Sequence, residues 1–359
     1  MTRGKVTISD VARRAKVSVG TVSHVLTGSI NVTAERRERV TRAIDALGYI
    51  PNVHAQGLRR GHSMVIGICF PFVNTAYLNA LSEAIERNAA RDGYGVLHVF
   101  SRHDPEAELK RLRELIRYRV DGLVLFPSSA PERALDLVEA KGLPVVTIER
   151  PSDDARFDQV TVDNRRGMYE AAVRLIALGH RRLLVACRSR KLAVNRLRAL
   201  GLKAAQREAP SPVDVVTLEV GDDEPRFRAA LGDAMRGAAP PTAIITSNSH
   251  HASLVYAVLR EIGADVPGRV SVLTFDDPEW SRIVEPELSV IRQPAEAMAE
   301  EAWRLLARRI AKRAQPTEAV ALGQEIVFRA SVAPPRADVA NAASAPSPRA
   351  RRRAPRTHE

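Results

Sequence analysis

From residue 64 onward, short apolar runs alternate with longer amphipathic stretches. The runs at 64–70, 96–100, 121–126, 144–149 and 159–162 predict one series of buried strands. A second series follows at 182–187, 213–218, 242–246 and 270–275. Helical periodicity fills the gaps, near 77–91, 105–117, 131–141, 165–178, 192–208, 225–237 and 249–262. Two successive β-α series of similar size predict two doubly wound parallel-sheet lobes. Sheets of that kind bind ligands at the carboxyl ends of their strands, so the expected site is a cleft between the lobes.

Before residue 64 the pattern is mainly helical, broken at Tyr49-Ile50-Pro51 and ending in a solvated linker at 59–62. In 7–28, Thr7 and Asp10 have capping-box spacing, and Val11, Ala12 and Ala15 form an apolar stripe. Ser18 stands where an N-cap belongs, ahead of a helix from Val19 to Leu26. Val22, Val25 and Leu26 share one side of it. Val19, Gly20, Ser23, His24 and Thr27 share the other. Two helices this short must pack on each other to persist, and the second then offers a small, polar outer arc to a groove edge. A helix-turn-helix presents its second helix to the DNA major groove in this way. Thr33 opens a third helix over 34–47, with Val40, Ala43, Ile44 and Leu47 inward and Gly48 as its stop. Residues 52–58 are helical in pattern but too short, and too weakened by Gly57, to be stable unaided.

Charge sharpens this division. Of the total +12, residues 1–62 carry +7 and residues 334–359 carry +4, which leaves +1 for the body. A basic head on a nearly neutral body suits a polyanion partner. The tail from 334 is Ala, Pro, Ser and Arg with almost no bulky apolar residue and is expected to be disordered. The chain thus divides into a head (1–50), a hinge and linker (51–62), a two-lobed body (63–333) and a basic tail (334–359). Cys69 and Cys187 lie inside apolar runs and read as buried free thiols of a reducing cytosol. No secretory segment and no stretch of 18 apolar residues is seen, so a cytoplasmic protein with no membrane partner is expected.

Six stretches carry a resemblance to the lactose-repressor family of transcription regulators, over roughly 6–333. They are TISDVARRAKVSVGTVSHVLTG, YIPNVHAQGLR, VDGLVLFP, VDNRRGMYEAAVRLIALGHRRL, VPGRVSVLTFDD and the P-x-L-x-x-I-x-Q-P pattern at 286–294. The resemblance implies an all-α helix-turn-helix head on a periplasmic-binding-protein-like α/β body. Its recognition helix would read bases through Val19, Gly20, Ser23 and His24, flanked by Ser18 and Thr21. Ser9, Thr33 and Arg37 would position phosphates. The segment around Asn52, Ala55, Gln56 and Leu58 resembles the family's hinge helix, whose leucine wedges into the minor groove. In the body, Arg198 three residues before Gly201, Asn248, Asp276 and Gln293 match the family's effector cleft.

Phe72, Tyr77 and Phe126 are candidates for the other wall of that cleft. Asp163 and Asn164 follow a strand end and serve either the cleft or the cap of the next helix. An Arg198–Asp276 ion pair is the competing structural role for those two residues. Ser249, Thr274 and Asp223 depart from the family's usual Asp, Gly and aromatic residues, so no particular sugar or purine specificity transfers.

The implied function is a ligand-responsive repressor, a homodimer on pseudo-palindromic operator DNA. Its effector would be a small polar molecule such as a sugar or sugar derivative. The alternatives are a doubly wound enzyme or a solute-binding protein with an incidental basic N-terminus. No cofactor or metal is expected. His250 and His251 are neighbours about 100° apart on a helix, Asp276-Asp277 lacks a third ligand or base, and neither a G-x-G-x-x-G turn nor a Walker loop occurs.

Overall fold

The computed structural model describes residues 6–26, 32–49, 62–72, 75–152, 154–219, 221, 223–312 and 315–336. Asn52, Ala55, Gln56 and Leu58 of the expected hinge, Thr27, and the tail beyond 336 lie outside them. The chain divides into two compact units, Met1–Met64 and Val65–Glu359.

The first unit is three helices on a small core. In α1 (Ile8–Ala15), the Thr7 amide and hydroxyl both donate to Asp10 Oδ2, at 3.0 and 2.7 Å. Lys16 ends the helix in the left-handed region at φ 53°. Ser18 Oγ accepts from the Thr21 amide at 3.1 Å and so opens α2 (Val19–Leu26). Helix α3 (Ala34–Leu47) stops at Gly48, where φ is 59° and a side chain would be strained. Val11, Ala12, Ala15, Val22, Val40 and Ala43 are buried between the three.

The second unit holds two six-stranded sheets. Strands β1 (Val65–Phe70), β2 (Gly95–Phe100), β3 (Gly122–Leu125), β4 (Val145–Ile148) and β5 (Asp158–Val162) match the first predicted series to within one or two residues. Strands β6 (Arg182–Cys187), β7 (Asp214–Glu219), β8 (Ala243–Thr246) and β9 (Ser271–Phe275) match the second. Intervening helices are α4 (Ala76–Arg91), α5 (Pro105–Arg117), α6 (Glu132–Ala140), α7 (Asn164–Ala177), α8 (Ala193–Glu208), α9 (Glu224–Arg236) and α10 (Ser249–Glu261). Strands β3, β4, β8 and β9 are buried along their whole length, as expected of parallel strands covered on both faces.

The periodicity of the two series does not extend to the return segment. There the chain adds β10 (Ser289–Arg292), α11 (Ala295–Ala311), β11 (Ala319–Leu322) and β12 (Glu325–Val327). Helix α11 buries Met298, Ala302, Leu305 and Leu306 on the N-lobe, and β11 joins that sheet beside β5. Strands β10 and β12 belong to the C-lobe sheet, where β12 runs antiparallel to β10. The C-lobe sheet is therefore mixed rather than wholly parallel. The orders are β2-β1-β3-β4-β5-β11 and β7-β6-β8-β9-β10-β12, so each sheet reverses direction of winding at one switch point. Those points lie between β1 and β3 in the N-lobe and between β6 and β8 in the C-lobe. Among the described residues, no helix is long and apolar enough to cross a membrane.

Candidate functional site

In the head, Ser9, Gly20, His24 and Thr33 are exposed, and Thr21, Ser23 and Arg37 are partly so. Ser18 has a structural duty, since its hydroxyl caps α2. Val19 differs from the expected outer position: it packs against the head core beside Val25 and Leu26. It remains partly exposed, so it stands at the boundary between core and outer arc. The surface left for a groove is small and polar, with His24 at its edge.

The cleft is built from strand ends. Chain leaving β1 supplies Phe72, and that leaving β3 supplies Phe126; Glu149 and Arg150 follow β4. From the C-lobe come Arg188 after β6, Asn248 after β8, Asp276 after β9 and Gln293 after β10. Tyr77 from α4 and Arg198 from α8 complete a cavity of about 270 Å³. Seven of the nine body residues singled out in the sequence therefore line one space, and Asp163 and Asn164 are the two that do not. The Asp163 carboxylate accepts from the Arg166 amide at 2.9 Å and caps α7. Its neighbour Asn164 is the buried one, and it accepts Arg198 Nε at 2.8 Å.

Arg198 is seated without a carboxylate. Its other donor reaches the Ser247 carbonyl at 2.9 Å, and its guanidinium lies 3.4 Å from the Phe275 ring centroid. The helix that carries it can approach α7 because Gly201 has no side chain; a Cβ there would stand 2.0 Å from the Arg165 carbonyl oxygen. An Arg198–Asp276 ion pair is not formed. Asp276 instead accepts from Gln293 Nε2 at 2.6 Å, while Gln293 Oε1 is buried without a partner. Burial lowers Arg198 to about 10, opposed by the nearby Asp276 and Glu149 charges. Burial likewise pushes Asp276 above the usual carboxylate range, against the Gln293 bond and the Arg198 charge.

Glu149 is a site residue that periodicity reads only as the last residue of a strand. It stands just after β4 with φ 68°, and Tyr77 donates its hydroxyl to the carboxylate. Burial raises this carboxyl to about 7 despite that bond and the Arg198 charge. His103, Arg188 and Asn195 also line the cavity without having been singled out in the sequence. A buried Glu108 pins the loop after Phe126, accepting from the Ser128 amide at 2.6 Å and its hydroxyl at 2.9 Å.

The adjacent His250 and His251 hold no metal cluster among the described residues. His251 Nδ1 pairs with Ser247 Oγ at 2.8 Å, and burial holds it neutral with a pKa near about 3. Asp277, beside Asp276, turns into the C-lobe, where it bonds Ser281, Arg292 and Arg329. Its role is structural. Cys69 and Cys187 are free and buried.

Residues 7–52 match the model for bacterial regulatory proteins of the lacI family, and 172–332 match a periplasmic binding protein-like domain. The chain is 30% identical over 331 residues to the HTH-type transcriptional repressor PurR of Klebsiella pneumoniae, covering 91% of this chain and 97% of that protein. It is 28% identical to the regulator DegA of Bacillus subtilis, over 92% and 99% of the two chains. The lac repressor dimer bound to operator and the anti-inducer ONPF superposes with TM-score 0.80 at 25% identity, over 91% and 99%. A complex of the regulator CelR with cellobiose superposes with TM-score 0.66 at 25% identity, over 91% and 100%. A helical DNA-reading head, a two-lobed body with a polar cleft, and these relationships give one conclusion: the chain belongs to the LacI family of bacterial transcription regulators and is a DNA-binding protein, not an enzyme.

Proposed function

We propose that this regulator represses transcription as a homodimer on a pseudo-palindromic operator, and that a sugar-sized polar effector in the interlobe cavity resets its operator affinity. Residues 1–50 form the reading head, 51–62 the hinge, and 63–333 the effector-binding and dimerisation body. A protein that reads operator DNA works in the cytoplasm, where that DNA is. Ser18, Thr21, Ser23 and His24 line the groove side of the recognition helix, with Gly20 allowing close approach. Ser9, Thr33 and Arg37 meet phosphates, and Asn52, Ala55, Gln56 and Leu58 act at the operator centre.

One observation carries the effector site. The cavity is lined from both lobes by polar groups with capacity left over, notably Gln293 Oε1, which is buried without a partner. A hydroxyl-rich ligand supplies the missing donor, and Asp276 and Glu149 accept further hydroxyls. Phe72 and Phe126 offer ring faces to its apolar side. A ligand touching both walls stabilises one relative orientation of the lobes, and this differential contact is what shifts the equilibrium. The lac repressor dimer with operator and the CelR complex with cellobiose are precedents among the chain's relatives.

Arg198→Ala tests the assignment. It should abolish the ligand response, because a ligand that binds neither state cannot shift their equilibrium. Asp276→Asn should give the same pattern more weakly, since the amide keeps one acceptor but loses the charge. Calorimetry for ligand affinity and a gel shift for operator affinity read the two halves separately. Normal ligand affinity in Arg198→Ala would dispose of the site.

A further inference from the structure

Helix α8 has two unlike halves. Toward its end, Leu202 and Ala205 join the C-lobe core with Leu183 and Ile245. Its first turns instead border a second cavity, of about 550 Å³, floored by Val185 and Cys187 at the end of β6 and by Thr217 of β7. Met168 of α7 and Leu197, Leu200 and Leu202 of α8 make the walls largely aliphatic. Leu200 is 50% exposed, a large apolar side chain left partly in water at the edge of an apolar space. Asn195, Arg198 and Ser247 are the residues that this cavity shares with the interlobe one; Tyr77, Glu149, Asp276 and Gln293 line the interlobe cavity and not this one. Arg198 is part of the partition, anchored on Asn164 and on the Ser247 carbonyl.

The rim of this space is charged with one sign. Arg190, Arg196 and Lys203 line it and are exposed, and no acid is among the described residues that line it. Arg190 pairs with Glu219 at 2.8 Å, so much of its charge is answered from outside. Arg196 donates to the Lys191 carbonyl, a neutral acceptor. On a helix, Arg196, Leu200 and Lys203 share one face, so an apolar side chain stands between two cations. Helix α8 adds to the same sign. It starts after Leu192, which has no side-chain oxygen to cap the first-turn amides, and Ala193 and Asn195 of that turn border the cavity. The positive end of the helix dipole is thus at the rim. A sugar would find few polar partners against these walls, and a cation would be repelled. An aliphatic body with one negative charge matches both the walls and the rim. The volume lies within the range of small-molecule sites.

We propose that this cavity is a second ligand site, which takes a medium-length aliphatic chain ending in a carboxylate. The chain lies against Met168, Val185 and Leu202, and the carboxylate stays at the rim by Arg196 and Lys203. The inference does not depend on what fills the interlobe cavity.

The test uses the full chain and three probes: octanoate, butyrate and octanol. Calorimetry should find one octanoate bound per chain, at least tenfold more tightly than butyrate, because four more methylenes leave water. Octanol, with the same chain and no charge, should also bind at least tenfold more weakly than octanoate. Leu200→Glu sets a fixed carboxylate at the mouth and should weaken octanoate tenfold or more. Leu200→Ser should act in the same direction and serves if the glutamate variant melts early. Lys203→Glu should weaken octanoate threefold or more and leave octanol unchanged, a split that a merely structural Lys203 would not give. Melting curves show that each variant is folded. Asp276→Asn, altered only in the interlobe cavity, should bind octanoate as the parent does.

Octanol as tight as octanoate overturns the role of the charged rim, and butyrate as tight as octanoate overturns that of the apolar walls. Undiminished octanoate binding by folded Leu200→Glu or Leu200→Ser overturns the site itself, as does the lack of saturable binding by the parent. Loss of octanoate binding in Asp276→Asn would place the chain in the interlobe cavity and overturn the second site, leaving the effector cleft standing.

Discussion

The head draws the side chains proposed to meet DNA from a short stretch, Ser9 to Arg37, and leaves them exposed or partly exposed over a core of six small buried residues. The cleft draws on residues from Phe72 to Gln293 and buries its charges. Glu149, Arg198 and Asp276 are each under a tenth exposed, and all three have displaced pKa values. The contrast follows from the ligands. A phosphate backbone is met in water by exposed cations, where screening is strong and sequence is read by a few base-edge contacts. A small polar ligand is met in a desolvated pocket, where each hydrogen bond is stronger and each unpaired group costs more. Changes in the cleft unit should therefore cost stability first, and changes in the head should cost recognition with stability intact.

The largest effect should come from Asp277. Its carboxylate and the Arg329 guanidinium, 8% and 9% exposed, form a buried pair at 2.9 Å. Asp277→Ala strands that arginine and should cost about 3–5 kcal/mol, read as a lower melting temperature. Burial alone would raise Asp277, yet the bonds from Ser281, Arg292 and Arg329 outweigh it and hold the carboxyl at about 2. A folded-state pKa below the ordinary 3.8 means that its stabilisation is complete above about pH 4 and fades as the pH falls toward 2. Asp277→Asn should flatten that acid limb. An Asp277→Ala protein as stable as the parent would break the comparison.

A pair of glycines sharpens it. Gly201→Ala drives a Cβ to within 2.0 Å of the Arg165 carbonyl and 3.0 Å of the Tyr169 amide, so α8 must shift from α7 and carry Arg198 with it. About 1–3 kcal/mol of stability should be lost, together with ligand affinity. Gly20→Ala in the head meets only Ser18 Oγ at 3.6 Å, an ordinary contact, and should melt like the parent. Equal melting temperatures for the two variants would contradict the contrast.

The smallest effect on folding, and the most specific on function, is expected at His24. His24→Ala should cost about 1–3 kcal/mol on the preferred operator and little on random DNA, with an unchanged melting temperature. Binding by the parent should fall with salt at a log–log slope of about −4 to −5, as for four to six phosphate contacts. Equal losses on both DNAs would make His24 a backbone contact.

Much of this was legible in the chain because the signals are local. Strand runs and capping residues place helix and strand boundaries within one or two residues, since periodicity depends only on which face is buried. Asn248, Asp276 and Gln293 could be named from the resemblance as residues that follow strand ends, and Arg198 as the arginine three residues before Gly201. Asp163 could not be decided that way, as a carboxylate after a strand serves a helix cap as readily as a ligand. Val19 is divided between the two roles, partly exposed on the outer arc and partly packed on the head core, and helical angle alone does not record that division.

The sequence by itself determined the helical head, the two alternating β-α series, the neutral body and the strand-end loops, because each is fixed by spacing over a few residues. The tertiary structure decided the rest. Only the return of α11 and β11 to the N-lobe, and of β10 and β12 to the C-lobe, brings Gln293 beside Asp276 and closes each sheet. Only packing sets Arg198 on Asn164 rather than on Asp276, and turns Asp277 away from its neighbour into a knot with Arg292 and Arg329. Glu149 and Arg150 belong to the site because β4 lies in a sheet whose carboxyl edge faces the cleft. Such facts join residues far apart in the chain, and no local pattern records which distant partner a side chain will meet.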